Sequence, residues 1–182
     1  MGRYSLAEYL RIEDESPTKH EYVDGEIIAM AGGTPEHAAL SAAIGWALNA
    51  QLHDEYRAYS SDLRIWIEAA NLGTYADAAV VCDPVEHLPS SPTFVTNPVL
   101  VVEVLSASTE DYDREDKRVA YQQLSSLQAY VLVAQDRRRV ELWSRAGGDW
   151  QHTAYEAGEV ARVPALDLAL DVDAIYARAG VA

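Results

Sequence analysis

Three side chains in the middle of the chain have the chemistry of a phosphoryl-transfer site: Asp77, Glu103 and Lys117. Asp77 and Glu103 each stand in an apolar run too short for a helix, the first from Tyr75 to Asp83 and the second from Asn97 to Ser106. Val- and Leu-rich runs of that length, bounded by turn residues, are buried strands. An ionised carboxylate there must be paired, bound to a cation or neutralised by a raised pKa. Two such acids in neighbouring strands point to a shared positive partner, either a metal ion or Lys117. A hard cation such as Mg²⁺ takes one or two carboxylates together with water and phosphate oxygens. It polarises a phosphoryl oxygen and lowers the pKa of a bound water, and a nearby ammonium offsets the charge that develops in an in-line displacement. The three residue types therefore suffice for phosphodiester hydrolysis. They equally suffice for a buried ion pair between Lys117 and Glu103 that fixes a helix to a sheet.

The surrounding pattern supplies the elements that must hold these residues. Ser5 and Glu8 match a capping box that opens a short amphipathic helix, and Pro17 interrupts it. From His20 to Met30 the Asp24-Gly25 pair between apolar residues predicts a tight hairpin. Glu21 falls in its first strand or in a helix end leading into it, as a solvated acid or as a member of the site. Thr34 to about Glu55 repeats apolar residues at three- and four-residue steps, a helix entered through Gly32-Gly33-Thr34-Pro35. His37 lies in its first turn, where the amides favour an anion; it reads as an anion or metal-shell contact, or as a capping or packing histidine.

Ser61 to Glu68 alternates, with Leu63, Ile65 and Ile67 on one face and Asp62, Arg64, Trp66 and Glu68 on a wetter one. It is expected to pair as a hairpin with the strand Tyr75 to Asp83. Pro84 to Pro98 reads as a loop, and Val99 to Leu105 as a central strand buried on both faces. Tyr112 to Leu127 reads as a helix with Lys117, Tyr121 and Leu124 on one face. Ala129 to Ala134 follows as a buried strand. Val140 to Trp143 and Trp150 to Tyr155 then form an antiparallel sheet edge, before a short helix near Val172 to Ala179.

At 182 residues and 49% hydrophobic, the chain is long enough for one α/β or α+β domain, residues 1–182, with no linker or repeat. Its formal charge of −15, from 29 acidic and 14 basic residues, works against nonspecific attraction to nucleic acid or anionic membrane. An enzyme acting on DNA at this acidity needs a local basic groove, for which Arg57, Arg64, Arg114, Lys117 and Arg118 are the candidates. The single cysteine, Cys82, reads as a small buried hydrophobe; it excludes an intramolecular disulfide or thiolate cage and fits a reducing cytoplasm. With no apolar run approaching a bilayer span and no secretory pattern at the amino terminus, a soluble, cytoplasmic protein is expected.

The order hairpin, helix, strand hairpin with Asp, strand with Glu, helix, strand resembles the PD-(D/E)XK nuclease core. More closely, residues 4–178 are similar to the Uma family of restriction endonucleases, a restriction-endonuclease-like domain. The likeness is carried by Glu21 to Glu26, Met30 to His37, Ser60 to Arg64, Tyr75-Ala76-Asp77, Val102 to Ser106, Asp113 to Lys117 and Tyr130 to Val133. The resemblance implies a central mixed β-sheet flanked by helices, with the amino-terminal hairpin and the carboxyl-terminal antiparallel edge added to it. It also implies Asp77 and Glu103 as paired metal-binding acids, Glu21 as a further metal-binding acid and Lys117 as the catalytic lysine. Mg²⁺ or Mn²⁺ would be the cofactor, DNA the substrate and a homodimer the assembly, with His37, Arg64 and Arg118 as candidate substrate contacts. Two positions depart from the superfamily pattern: Ala76 replaces the usual Pro before Asp77, and Leu105 stands where a lysine is expected two residues after Glu103. The lysine must then be Lys117, reaching over from the next helix. Two functions are compatible with these residues. One is a Mg²⁺-dependent DNA endonuclease; the other is a catalytically degenerate nuclease fold that serves as a metal-binding or protein-interaction module.

Overall fold

The computed structural model describes residues 3–181. The chain opens with α1 (Leu6–Glu15), whose capping box is formed: the Glu8 amide donates to Ser5 Oγ at 3.3 Å and the Ser5 amide to Glu8 Oε2 at 2.7 Å. The hairpin β1 (His20–Val23) and β2 (Glu26–Ala29) turns through Asp24 and Gly25, at φ of 46° and 89°. This is the left-handed geometry that an Asp-Gly pair accepts. Next come α2 (Pro35–Asn49), β3 (Tyr56–Ser60), β4 (Arg64–Ile67), β5 (Leu72–Tyr75), β6 (Ala78–Cys82), β7 (His87–Leu88), β8 (Ser91–Val95) and β9 (Pro98–Val104). One continuous helical run then consists of α3 (Glu110–Tyr112), a π turn (Asp113–Lys117) and α4 (Arg118–Tyr121). The chain finishes with β10 (Ala129–Val133), β11 (Arg139–Ala146), β12 (Asp149–Glu156), β13 (Val160–Val163), β14 (Leu168–Asp171) and α5 (Val172–Ala179).

The strands form two six-stranded mixed sheets, ordered β2-β1-β5-β4-β8-β7 and β12-β11-β10-β9-β6-β3, and a β13-β14 hairpin. As the apolar pattern of Val99 to Leu105 predicts, β9 is central, parallel to β10 on one side and antiparallel to β6 on the other. Its alternate residues serve two cores. Leu100, Val102 and Val104 pack with Leu40, Ile44 and Leu48 of α2 and with α5. Val101 and Leu105 face Ile65, Ile67 and Leu72 of the first sheet and Tyr121 of α4. By the two-residue period, Glu103 belongs to this second face.

The mixed α+β class is the expected one, with β9 inside a central mixed sheet whose antiparallel edge is β11-β12; the amino-terminal hairpin β1-β2 belongs to the other mixed sheet. The run Tyr75 to Asp83 is not one strand: Tyr75 ends β5 in the first sheet and Ala78 begins β6 in the second. Asp77 explains the break, because its Oδ2 accepts the Val104 amide at 2.7 Å and the β6–β9 ladder stops at the Ala78–Val102 pair. The hairpin partner of β4 is therefore β5, and β6 pairs with β3, a strand that the residue pattern did not predict. Two further strands, β7 and β8, lie within the proline-rich stretch read as a loop. Trp66, expected on a wetter face, is buried against Tyr22 and Phe94 because α1 covers that face of the first sheet through Tyr9. The helix expected to reach Glu55 ends at Asn49, and that expected over Tyr112 to Leu127 runs from Glu110 to Tyr121. No helix among the described residues is long and apolar enough to cross a membrane.

The helical run is riveted to the second sheet by Glu141 of β11. Its Oε1 accepts Arg114 at 2.8 Å and Arg139 at 3.0 Å, and its Oε2 meets His152 Nε2 at 3.0 Å. Burial pushes this carboxyl up, but the two guanidiniums outweigh burial and hold it below the ordinary range. A depressed carboxyl pKa stabilises the fold fully above the unfolded value and ceases to do so as pH falls through the folded one. Melting temperature should therefore fall on acidification below about pH 4.5. In Glu141→Gln that acid-dependent part of the loss should be smaller, as differential scanning fluorimetry at stepped pH would show.

Candidate active site

Lys117 stands where the two sheets and the helical run meet, with its side chain 5% exposed. Its Nζ lies 3.0 Å from Glu103 Oε1, 3.1 Å from Glu21 Oε1 and 3.8 Å from Asp113 Oδ1, and it donates to the Tyr75 carbonyl at 3.1 Å. The π turn matters here, since Asp113 and Lys117 are its first and last residues and both are buried. Such turns inside α-helices gather at functional sites. Further donors fix the acids: the Thr74 hydroxyl donates to Glu21 Oε1, and Tyr121 donates to Glu103 Oε1 at 3.2 Å. Tyr130 donates to the Asp113 carbonyl at 2.9 Å. Tyr75 carries the network outward, its hydroxyl donating to Glu13 Oε1 at 2.6 Å and accepting Arg64 Nε at 2.8 Å, while burial pushes it up to about 12.

Charge in this cluster is unbalanced. Burial pulls the Lys117 ammonium down, but Glu103, Glu21 and Asp113 outweigh it and hold it well above its ordinary range. Burial pushes Glu103 well up; Lys117 pulls it back, and Asp113 and Asp77 push it further. Asp113 is raised by burial against the same lysine. Three carboxylates thus share one ammonium: the lysine stays charged, while burial raises the proton affinity of Glu103 and Asp113.

Asp77 belongs to the same site without touching Lys117. Its Oδ2 is held by the amide of Val104, the residue after Glu103, and lies 3.3 Å from His37 Nε2. Pairing with the Asp77 carboxylate raises His37 above its ordinary value, with burial opposing. Asp77 Oδ1 and Glu103 Oε2 accept no hydrogen bond from the described residues; the Asp77 side chain is 17% exposed and that of Glu103 5%. Among the described residues no three His, Cys, Asp or Glu side chains form a ready-made metal cage. The donor set is instead one free oxygen on each of two acids, beside surplus negative charge. That suits a hard divalent ion that retains several waters.

Of the residues expected to bind metal or act in catalysis, Lys117 meets Glu103 and Glu21, and Asp77 is bonded to the backbone of Val104, next to Glu103. Asp113 and the Tyr75 carbonyl complete the site and were not expected. The i,i+4 spacing of Asp113 and Lys117 was visible, but Asp113 sits in an acidic helix start where a role with the dipole sufficed. Of the arginines proposed for a basic groove, Arg57 pairs with Asp83, Arg64 with Asp14, and Arg114 with Glu110 and Glu141. Arg118 lies over the Trp143 ring at 4.4 Å and bonds to Gln122. A cleft of about 420 Å³ between α2 and β3 ends on Asp77 and is lined by Ser41, Asn49, Tyr59, Ser60 and Ser61. A larger concavity of about 700 Å³ between α2 and α5, lined mostly by alanines and Trp46, is remote from these groups in chemistry.

The sequence model of the Uma2 family, described as "Putative restriction endonuclease", matches residues 6–173. An uncharacterized protein of Synechocystis sp., slr1290, is 37% identical over 96% of this chain and 92% of its own length. A second from the same organism, sll1609, is 34% identical over 79% and 81%. Among solved structures, the crystal structure of a "putative nuclease belonging to DUF820" from Anabaena variabilis superposes with a TM-score of 0.79. It covers 96% of this chain and 98% of its own at 18% identity, a likeness of fold.

Removing the ammonium leaves Glu103, Glu21 and Asp113 buried without their counter-charge. Lys117→Met should cost about 3–5 kcal/mol of unfolding free energy in urea titration. The double variant Lys117→Met with Glu103→Gln should recover part of that loss, because one buried charge disappears with its partner.

Proposed function

The chain belongs to the Uma2 family, and on that premise we propose that it is a metal-dependent nuclease that hydrolyses phosphodiester bonds in DNA. The observation that carries this reading is the pairing of Lys117 with Glu103 at 3.0 Å, one residue from the Val104 amide that holds Asp77. Asp77 and Glu103, with Glu21 beside them, would hold Mg²⁺ or Mn²⁺. When bound, such an ion polarises the phosphate and lowers the pKa of a water.

The chain's own residues do the rest. Lys117 keeps Glu103 and Glu21 in fixed positions from below and offsets charge that builds on the phosphate, in surroundings where little water screens it. The cleft between α2 and β3 supplies a neutral, hydrogen-bonding path to Asp77 for a strand of the substrate. Because Arg57, Arg64 and Arg114 are each matched to an acid, a bound cation is the principal means of attracting phosphate to this acidic chain.

That same pairing of arginines favours a second reading, a fold that binds metal and engages a partner without cutting DNA. A plasmid-nicking assay with metal titration separates the two. The wild type should nick supercoiled DNA in Mg²⁺ and stop in chelator, and Asp77→Ala should lower the rate by about 100-fold or more. Metal binding without nicking would support the second reading, and nicking that survives Asp77→Ala would remove this site from the reaction.

A further inference from the structure

We propose that His37 is a positioning residue for this site: together with the Val104 amide it pins Asp77 by Oδ2, so that Oδ1 is the oxygen offered to the metal. The inference rests on the reading above, in which Asp77 holds a divalent cation.

The ring is not a helix cap. Thr34 is the N-cap of α2, and its Oγ1 accepts the His37 amide at 3.2 Å. The imidazole instead leaves the helix and places Nε2 3.3 Å from Asp77 Oδ2. Several contacts fix its direction. A Cβ built on Gly33 would stand 2.8 Å from His37 Nδ1, so the ring lies flush against a residue that must have no side chain. Thr34 Oγ1 also accepts Gln135 Nε2 at 2.9 Å, which ties the start of α2 to the chain just after β10.

The result is a division of labour across the second sheet. Lys117 approaches Glu103 from the helical run on one face. His37 approaches Asp77 from α2, which packs on the other. Each acid has one oxygen paired with a basic side chain, and neither basic residue belongs to the element that carries the acid. Groups that orient a metal-binding carboxylate in this way typically alter metal affinity about 10- to 100-fold when removed.

Mn²⁺ binding measured by calorimetry on the full chain tests this, with melting in chelator as the control for folding. His37→Phe keeps a ring against Gly33 but donates no hydrogen bond, and it should weaken Mn²⁺ binding about 10- to 100-fold with melting in chelator little changed. His37→Gln can donate again and should recover part of the affinity. Affinity unchanged in His37→Phe but abolished in Asp77→Ala overturns the role of His37 and leaves the metal-site reading standing. Equal loss in His37→Phe and His37→Gln also overturns it, since the hydrogen bond would then not be the cause. A wild type that binds no Mn²⁺, or binds it equally after Asp77→Ala, overturns both.

Discussion

The ammonium of Lys117, enclosed with three carboxylates, is the contact on which the arrangement of the molecule depends. Glu21 comes from β1 and the Tyr75 carbonyl from β5, both of the first sheet; Glu103 comes from β9 of the second, and Asp113 from the helical run. One charged group therefore joins three layers that share little covalent proximity. In a medium with few water dipoles each of these attractions is stronger than at the surface, and any one left unmatched is correspondingly costly. Tyr121 and Tyr130 add neutral hydroxyl donors, because burial pushes both well above the range in which a phenol ionises.

The distribution of the remaining charge follows from the same economy of cations. The chain has 14 basic residues against 29 acidic ones, and the arginines near the site are committed to architecture. Arg114 and Arg139 secure Glu141, while Arg145 closes the carbonyls of Gln122, Leu124 and Leu127 and lies over Trp150 at 4.8 Å. The cleft that reaches Asp77 is likewise lined by serines, an asparagine and a tyrosine.

Much of this was legible in the residues, and for physical reasons. Asp77 and Glu103 stood out because a carboxylate inside a Val-rich run must have a partner, and β9 stood out because its run is apolar on both faces. The capping box, the Asp-Gly hairpin and the final helix are local devices whose geometry is set by a few adjacent side chains. What escaped was decided at a distance. The break at Asp77 depends on an amide of β9 that lies far along the chain. The burial of Trp66 depends on α1, and the strand β8 was masked by the prolines around it, including Pro92 within it. Glu13 of α1 is buried and bonded by Tyr75 and the amide of His20, partners brought to it only by the fold. Arg64 and Arg118 could be recognised as basic residues near the site, but whether an arginine is free depends on its partners in three dimensions.

A divalent ion completing this surplus of negative charge is the central physical claim, and anomalous diffraction from crystals soaked in Mn²⁺ addresses it most directly. An anomalous peak is expected within bonding distance of Asp77 and Glu103, with Lys117 still paired with Glu103. Saturating Mn²⁺ with no peak there, or a peak bound only by carboxylates elsewhere on the surface, would contradict it.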